Sequence, residues 1–239
     1  MIPDLAPAFD GPLSFARDSL VLPDDARPAI PCSALRCPVM LGTVMDRFAA
    51  RFPGGDRHAV ASMWSQYYLA RLIYPVLAVN LLLDRALPVG LEETSLILTE
   101  DGAPDAFRIA HCGRPVAEEG CARYAALVRG HLEPMVAAMA EAGGASPRLF
   151  WCNAGHRCDH LLSLLEGRAE TAPAAEVLLG LPRWEEAWDN PLGRSLCAAP
   201  EGGSCSSRRR VCCLRYRLPG FEDGCPSCPL PAIRRKHDA

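Results

Sequence analysis

"SMWSQYYLARLIYPVLAVNLLLDR", residues 62–85, contains the most apolar run of the chain, and what it forms decides the fold. A helix crossing a bilayer needs about 20 consecutive apolar residues. The run from Leu72 to Leu83 is shorter than that and is broken by Pro75 and Asn80. Apolar residues nevertheless recur at three- and four-residue steps from Asp56 to Leu87, the period of a helix that buries itself in protein. Asp56 is placed to cap it. Pro75 has no amide to donate, so a bend or restart is expected there.

Working outward, a second helix is expected over Thr43 to Phe52, with Thr43 as its cap. Residues 1–40 are rich in proline and aspartate, with a short helix near Ser14 to Leu20, and read as a loosely structured lead-in. On the carboxyl side, "TSLILTEDGAPDAFRIAHCG" (94–113) has two β-prone runs around a Gly- and Pro-containing turn, the pattern of a hairpin. Helical spacing returns from Gly120 to Ala142, interrupted at Pro134. A further helix is expected from Pro147 to Gly167 behind a Ser-Pro start. Glu176 to Trp188 suggests a short helical turn, and "PEGGSCSSRRR" (200–210) a polar linker.

The chain of 239 residues carries 25 basic and 28 acidic side chains, a net charge of −3, which argues against nucleic acid as a partner. The amino terminus lacks the basic and apolar segments of an export signal, so a cytoplasmic location is expected. Twelve cysteines in a reducing compartment are read as metal ligands, where clustered, before disulfides. No G-x-G-x-x-G follows a strand and no P-loop is present, so no nucleotide or flavin site is expected.

The cluster that matters is "RVCCLRYRLPGFEDGCPSC" (210–228). In a C-x-x-C such as Cys225 to Cys228, a tight turn brings two sulfurs to one side, ready to share a metal. Cys212 and Cys213 are neighbours, and neighbouring side chains of an extended segment point to opposite faces. A centre with two bridged irons spreads its ligands more widely than a single zinc and suits such a pair better. A structural zinc knuckle remains the alternative, because an irregular backbone at "VCCL" would let four thiolates close on one ion.

The spacing of these cysteines resembles that of the FhuF family of siderophore-iron reductases. "CCLRYRLPG" followed by "CPSCPL" is similar to the family's terminal motif, while residues 62–85 and "RLFWCNAG" (148–155) resemble its helical body. The likeness runs from about residue 40. The chain departs in having eleven rather than ten residues between the cysteine pairs, the extra one falling at "PGFEDG", and in having Cys152 at a position where a small residue is commoner. The resemblance implies a 2Fe-2S cluster on Cys212, Cys213, Cys225 and Cys228 that passes single electrons to a ferric siderophore. A ferredoxin or flavin reductase would be the external donor.

The expected architecture is α+β: the lead-in 1–40, a helix-dominated body with a small β-hairpin or sheet over 41–200, and a C-terminal iron-sulfur module over 201–239. A monomer is expected. Two other readings stay open: a zinc-stapled scaffold that binds iron chelates, and an iron-sulfur redox sensor.

Trp64, Tyr68 and Arg71 share a helical face and are candidates for contact with the siderophore's organic shell, the alternative being core with a snorkelling charge. Arg215 and Arg217, with Arg208 to Arg210 and Arg234 to Lys236, make the cysteine end basic. Solvated charge is the simplest reading of that basicity, and the alternative is attraction to an anionic iron complex, an acidic donor protein or a peripheral contact with the inner membrane. Cys152, His156 and His160 recur every fourth residue, as chelating residues on a helix can, but packing and solvent exposure account for them more simply. Cys205 is a candidate spare thiol beside the module.

Overall fold

The computed structural model describes residues 2–185, 188–198, 207–223, 225–230 and 233. Its axis is helix α2 (Arg57–Leu83), capped by the Asp56 side chain, which accepts from the Ala59 amide at 3.0 Å. Helix α1 (Pro38–Ala49) precedes it. Helix α3 (Gly120–Leu127) runs through a π-helical turn (Val128–Leu132) into α4 (Glu133–Gly143), and α5 (Pro147–Leu164) and the short α6 (Thr171–Ala175) follow. By length and composition α2 would be able to cross a membrane, but 72% of its most apolar window is buried inside the protein. It packs against α5, α4, α1 and one face of the sheet.

Pro75 does not end the helix. It sits in its middle, flanked by the buried Tyr74 and Val76. The proline costs a backbone hydrogen bond. Apolar burial along both flanking turns compensates for that loss. Thr43 is not a cap either, for α1 begins at Pro38, and the Thr43 hydroxyl bonds back to the Val39 carbonyl at 2.9 Å. Proline at the first helical position needs no amide partner, which explains the earlier start.

The sheet has four strands: β1 (Leu20–Val21), β2 (Ala29–Pro31), β3 (Thr94–Leu98) and β4 (Pro104–Ile109), in the order β1-β4-β3-β2. β3 and β4 form the expected hairpin, Leu96 facing Phe107, and Gly102 supplies the positive φ of 81° that the turn demands. β1 joins β4 in parallel, Leu20 beside Phe107, while β2 edges β3 antiparallel, Ile30 beside Leu96.

Residues 1–40 are therefore not a loose lead-in. Two 3₁₀ turns (Pro3–Phe9 and Gly11–Ala16) bury Leu5, Phe9 and Leu13, and the next residues supply two of the four strands. Prolines fix the backbone of these turns, and the core rather than helical periodicity holds them.

Candidate iron-sulfur site

The cysteine segment returns to the body as an antiparallel ladder, Ser207–Arg209 against Leu196–Ala198. The Arg209 amide then donates to the Ser227 carbonyl at 3.1 Å, and this brings the C-x-x-C beside the C-C. Leu214 adopts the left-handed conformation, φ 60°, which turns the chain immediately after Cys213 into a 3₁₀ turn at Arg215–Arg217. The knuckle closes with the Cys228 amide on the Cys225 carbonyl at 3.0 Å.

The four sulfurs meet in two cross-loop pairs, Cys212 Sγ to Cys228 Sγ at 3.8 Å and Cys213 Sγ to Cys225 Sγ at 3.7 Å. Two sulfurs bound tetrahedrally to one metal at about 2.3 Å lie about 3.8 Å apart. Each pair therefore has the span of one metal's ligand edge. Among the described residues no three histidine, cysteine or acidic side chains gather closely enough to share a single ion. Two pairs of this span fit a two-metal centre with two thiolates to each metal.

Cys213, Cys225 and Cys228 are buried, and Cys212 is the partly exposed member. Hydrogen bonding from Cys212, then from Cys225, pulls the Cys213 thiol far down, with the charge of Arg209 assisting. Sharing with Cys213, reinforced by burial, pushes Cys212 and Cys225 up.

Arg209 is the residue that sequence reasoning misplaced. Instead of joining a solvated basic flank it is 2% exposed, donating to the Asn153 side-chain oxygen at 2.6 Å and the Cys152 carbonyl at 3.2 Å. Burial lowers its proton affinity, and the facing thiols Cys213 and Cys225 support its charge. Strand alternation through "SRRRV" was the available signal, since it turns Arg209 inward between the partly buried Arg208 and the exposed Arg210.

Asn153, also fully buried, spans the body and the module. Its amide donates to Ser62 Oγ at 3.1 Å and Ser65 Oγ at 2.9 Å, while Ser62 Oγ donates to the Cys213 carbonyl at 2.7 Å. The cysteine loop is thus fastened to α2 and α5 by a chain of buried hydrogen bonds. Gly155 lets the Leu192–Ser195 turn, whose Ser195 carbonyl accepts from the Arg210 amide at 2.9 Å, lie against α5, because a Cβ there would lie 1.8 Å from Ser195 Oγ.

The substrate stripe is corrected. Trp64 and Tyr68 are fully buried: Trp64 donates to the Gly102 carbonyl at 3.0 Å, and Tyr68 is 2.6 Å from His131 Nε2. His131 Nδ1 lies 2.7 Å from the Val89 carbonyl and donates there, so Nε2 accepts from the tyrosine. Both aromatics serve the packing between α2 and the hairpin.

Arg71 and Arg215 do line a cavity, of about 430 Å³, together with Tyr67 and Tyr74 from the neighbouring face of α2. Arg217 is turned away and pairs with Asp56 at 3.3 Å. Cys152 is buried with its thiol toward the Ser195 carbonyl, while His160 packs on Tyr74, so Cys152, His156 and His160 build no chelate. Cys205 and Arg234 to Lys236 lie outside the described residues.

A helical body carrying a compact four-sulfur loop at its end defines the class: an iron-sulfur protein with its metal centre docked on an α+β domain. Residues 62–203 match the family described as ferric iron reductase FhuF-like transporter, and residues 209–230 match the FhuF 2Fe-2S C-terminal domain. The chain belongs to the FhuF family, and its C-terminal module is a 2Fe-2S domain.

It is 28% identical over 180 residues to the ferric siderophore reductase of Escherichia coli K12, covering 73% of this chain and 67% of that protein. Among solved structures, aerobactin synthetase IucA from a hypervirulent pathotype of Klebsiella pneumoniae superposes with a TM-score of 0.53 in its ATP-bound form and 0.52 in a second structure. At 14% identity, with 64% of this chain matched to 34% of the synthetase, the likeness is one of fold. The chain spans about a third of that enzyme.

Proposed function

We propose that this protein is a ferric siderophore reductase that moves one electron at a time from an external donor to Fe(III) held by an organic chelator. The observation that carries the reading is the convergence of Cys212, Cys213, Cys225 and Cys228 into two metal-spanning pairs within a segment matching a 2Fe-2S domain. The name of the Escherichia coli relative supports the choice of substrate.

In this reading Cys212 and Cys228 would hold one iron, and Cys213 and Cys225 the other. When bound, the cluster supplies a one-electron carrier. Arg209 holds positive charge behind the buried pair, which favours thiolate ligands and the added negative charge of the reduced state. Asn153 and Ser62 keep the loop seated on the body. Cys212, the partly exposed ligand, marks the side open to a donor or acceptor.

Hard oxygen donors bind Fe(III) far more tightly than Fe(II), so one electron added to the complex loosens the metal. The step moves an electron and requires no acid or base. Each ~59 mV of driving force favours it tenfold. The donor is a ferredoxin or flavin-dependent reductase. The free thiols at Cys32, Cys37, Cys112, Cys121, Cys152, Cys158 and Cys197 suit a reducing compartment, which supports a cytoplasmic setting.

Iron, zinc and acid-labile sulfide analysis of anaerobically purified protein tests the centre. Equimolar iron and sulfide, with a visible spectrum that bleaches on reduction, is expected. Zinc without sulfide would leave the scaffold reading in its place. Pre-reduced protein mixed with a ferric chelate and an Fe(II) trap tests the transfer, and a redox sensor would give little Fe(II).

A further inference from the structure

The cavity of about 430 Å³ lies where α2, α5, the amino-terminal turns and the cysteine loop meet, and its polar chemistry is one-sided. Arg71, Arg157 and Arg215 reach it, and no carboxylate is among its lining residues. Gln66 Nε2, Arg157 Nε and Arg215 Nε are each buried without a hydrogen-bond partner, and all three residues line this space. Buried donors normally find acceptors. A lining of three arginines and an amide side chain without a carboxylate suits a ligand that presents several acceptor oxygens.

The guanidiniums are held in place before any ligand arrives. Arg157 donates to the Tyr74 hydroxyl at 3.1 Å, and Arg215 lies 4.3 Å over the Phe221 ring. Arg71 has an acid nearby, Asp105 at 3.8 Å, but Asp105 also pairs with Arg27 at 2.7 Å, so its charge is divided. Aromatic rings form the remaining wall. The other large cavity, near Trp151, lacks this character because its Arg194 is paired with Asp189 at 3.2 Å.

The cavity also borders the sulfur loop. Arg215 follows Cys213 by one left-handed residue, and Met63 on the cavity wall adjoins Ser62, which holds the Cys213 carbonyl. We propose that this cavity is the substrate site and that it selects ferric complexes of net negative charge with acceptor-rich peripheries, of catecholate or carboxylate type, over cationic ones. The inference rests on the reductase reading and adds the charge class of its substrate. Fixed cations in a partly desolvated wall attract an anionic complex more strongly than solvated surface arginines do, and added salt weakens that attraction.

The test uses gallium(III), which resembles Fe(III) in size and charge but is not reduced. Full-length protein is titrated by calorimetry with an anionic gallium tris-catecholate, and with the cationic gallium complex of a linear tris-hydroxamate amine. At least about tenfold tighter binding of the anion is expected, with the gap narrowing as salt is raised toward the physiological range. Arg157→Gln and Arg215→Gln should each weaken anion binding about tenfold with the visible spectrum unchanged, since neither side chain is in the sulfur loop's hydrogen-bond network.

Equal affinity for the two complexes, or unaltered affinity in both variants, overturns the assignment. If the anionic gallium complex binds as expected while neither an anionic ferric citrate nor the ferric hydroxamate is reduced, the cavity stands and the reductase reading falls. If both variants reduce ferric complexes with unchanged KM, the reductase reading stands and the cavity assignment falls.

Discussion

The body and the cysteine module are held together by different physics. Around α2 the body buries Trp64, Tyr68, Leu72, Ile73, Leu77 and Phe107 essentially completely, a continuous apolar core that stabilises at roughly 25 cal/mol per Å² of buried surface. The module contributes little of this kind. Leu218 reaches the main core, with Val211, Leu214 and Phe221 partly buried against it, and three cysteines form the module's own buried cluster. So small an apolar centre cannot offset the conformational entropy of ordering the loop. A body of this sort folds on its own, whereas such a module needs its metal and its anchors.

The largest test of this contrast is Cys225→Ser. It should abolish the visible chromophore while leaving far-UV dichroism and the main melting transition close to those of the parent. A cooperative loss of helix on this substitution would show the two regions to be one unit.

Next in size is Asn153→Ala, which strips partners from Ser62, Ser65 and Arg209. Unsatisfied buried groups cost about 1–3 kcal/mol, more when charged. Cluster bleaching should move to lower denaturant than the loss of helix, separating into two transitions what anchoring joins. Coincident transitions would count against the anchor.

A third effect belongs to the body alone. Burial holds His131 neutral down to about pH 4, against a usual value of 6.5. The unfolded chain takes up that proton first, so this contribution to stability is fully present above pH 6.5. It falls as the pH drops toward 4, by up to about 3 kcal/mol. Denaturant midpoints of Cys225→Ser protein across this range report it together with His156 and His160, which burial also holds neutral, and Tyr68→Phe, which keeps the ring but removes the donor to Nε2, should alter the His131 share. A midpoint independent of pH between 6.5 and 4 would remove His131 from the account.

How much of this was legible in the sequence follows from how local each cause is. The Asp56 cap, the hairpin around Gly102 and the Ser-Pro start of α5 are written within a few residues, and spacing read them. The strands β1 and β2 are too short to declare themselves, since they exist because β4 and β3 offer partners from far along the chain. The α2 stripe failed for a related reason. That helix is buried almost all round, so the pattern that marked Trp64 and Tyr68 as a face did not say which face meets solvent, and the open one carries Tyr67 and Arg71. In the module, C-C and C-x-x-C were explicit, but the pairing of Cys212 with Cys228 and of Cys213 with Cys225 depends on the Leu214 turn. The inward Arg209 depends on Asn153, contributed by α5.

The parallel pairing of β1 with β4 has a bearing on how the protein comes into being. Leu20 waits for Phe107, so the opening segment leaves the ribosome well before its neighbour exists. Until α2, on which these turns pack, has been made, Leu5, Phe9 and Leu13 are sticky surface without a place to bind. The amino-terminal turns are thus a late closure over a nascent domain, and this end of the chain is where a chaperone would have most to protect during synthesis.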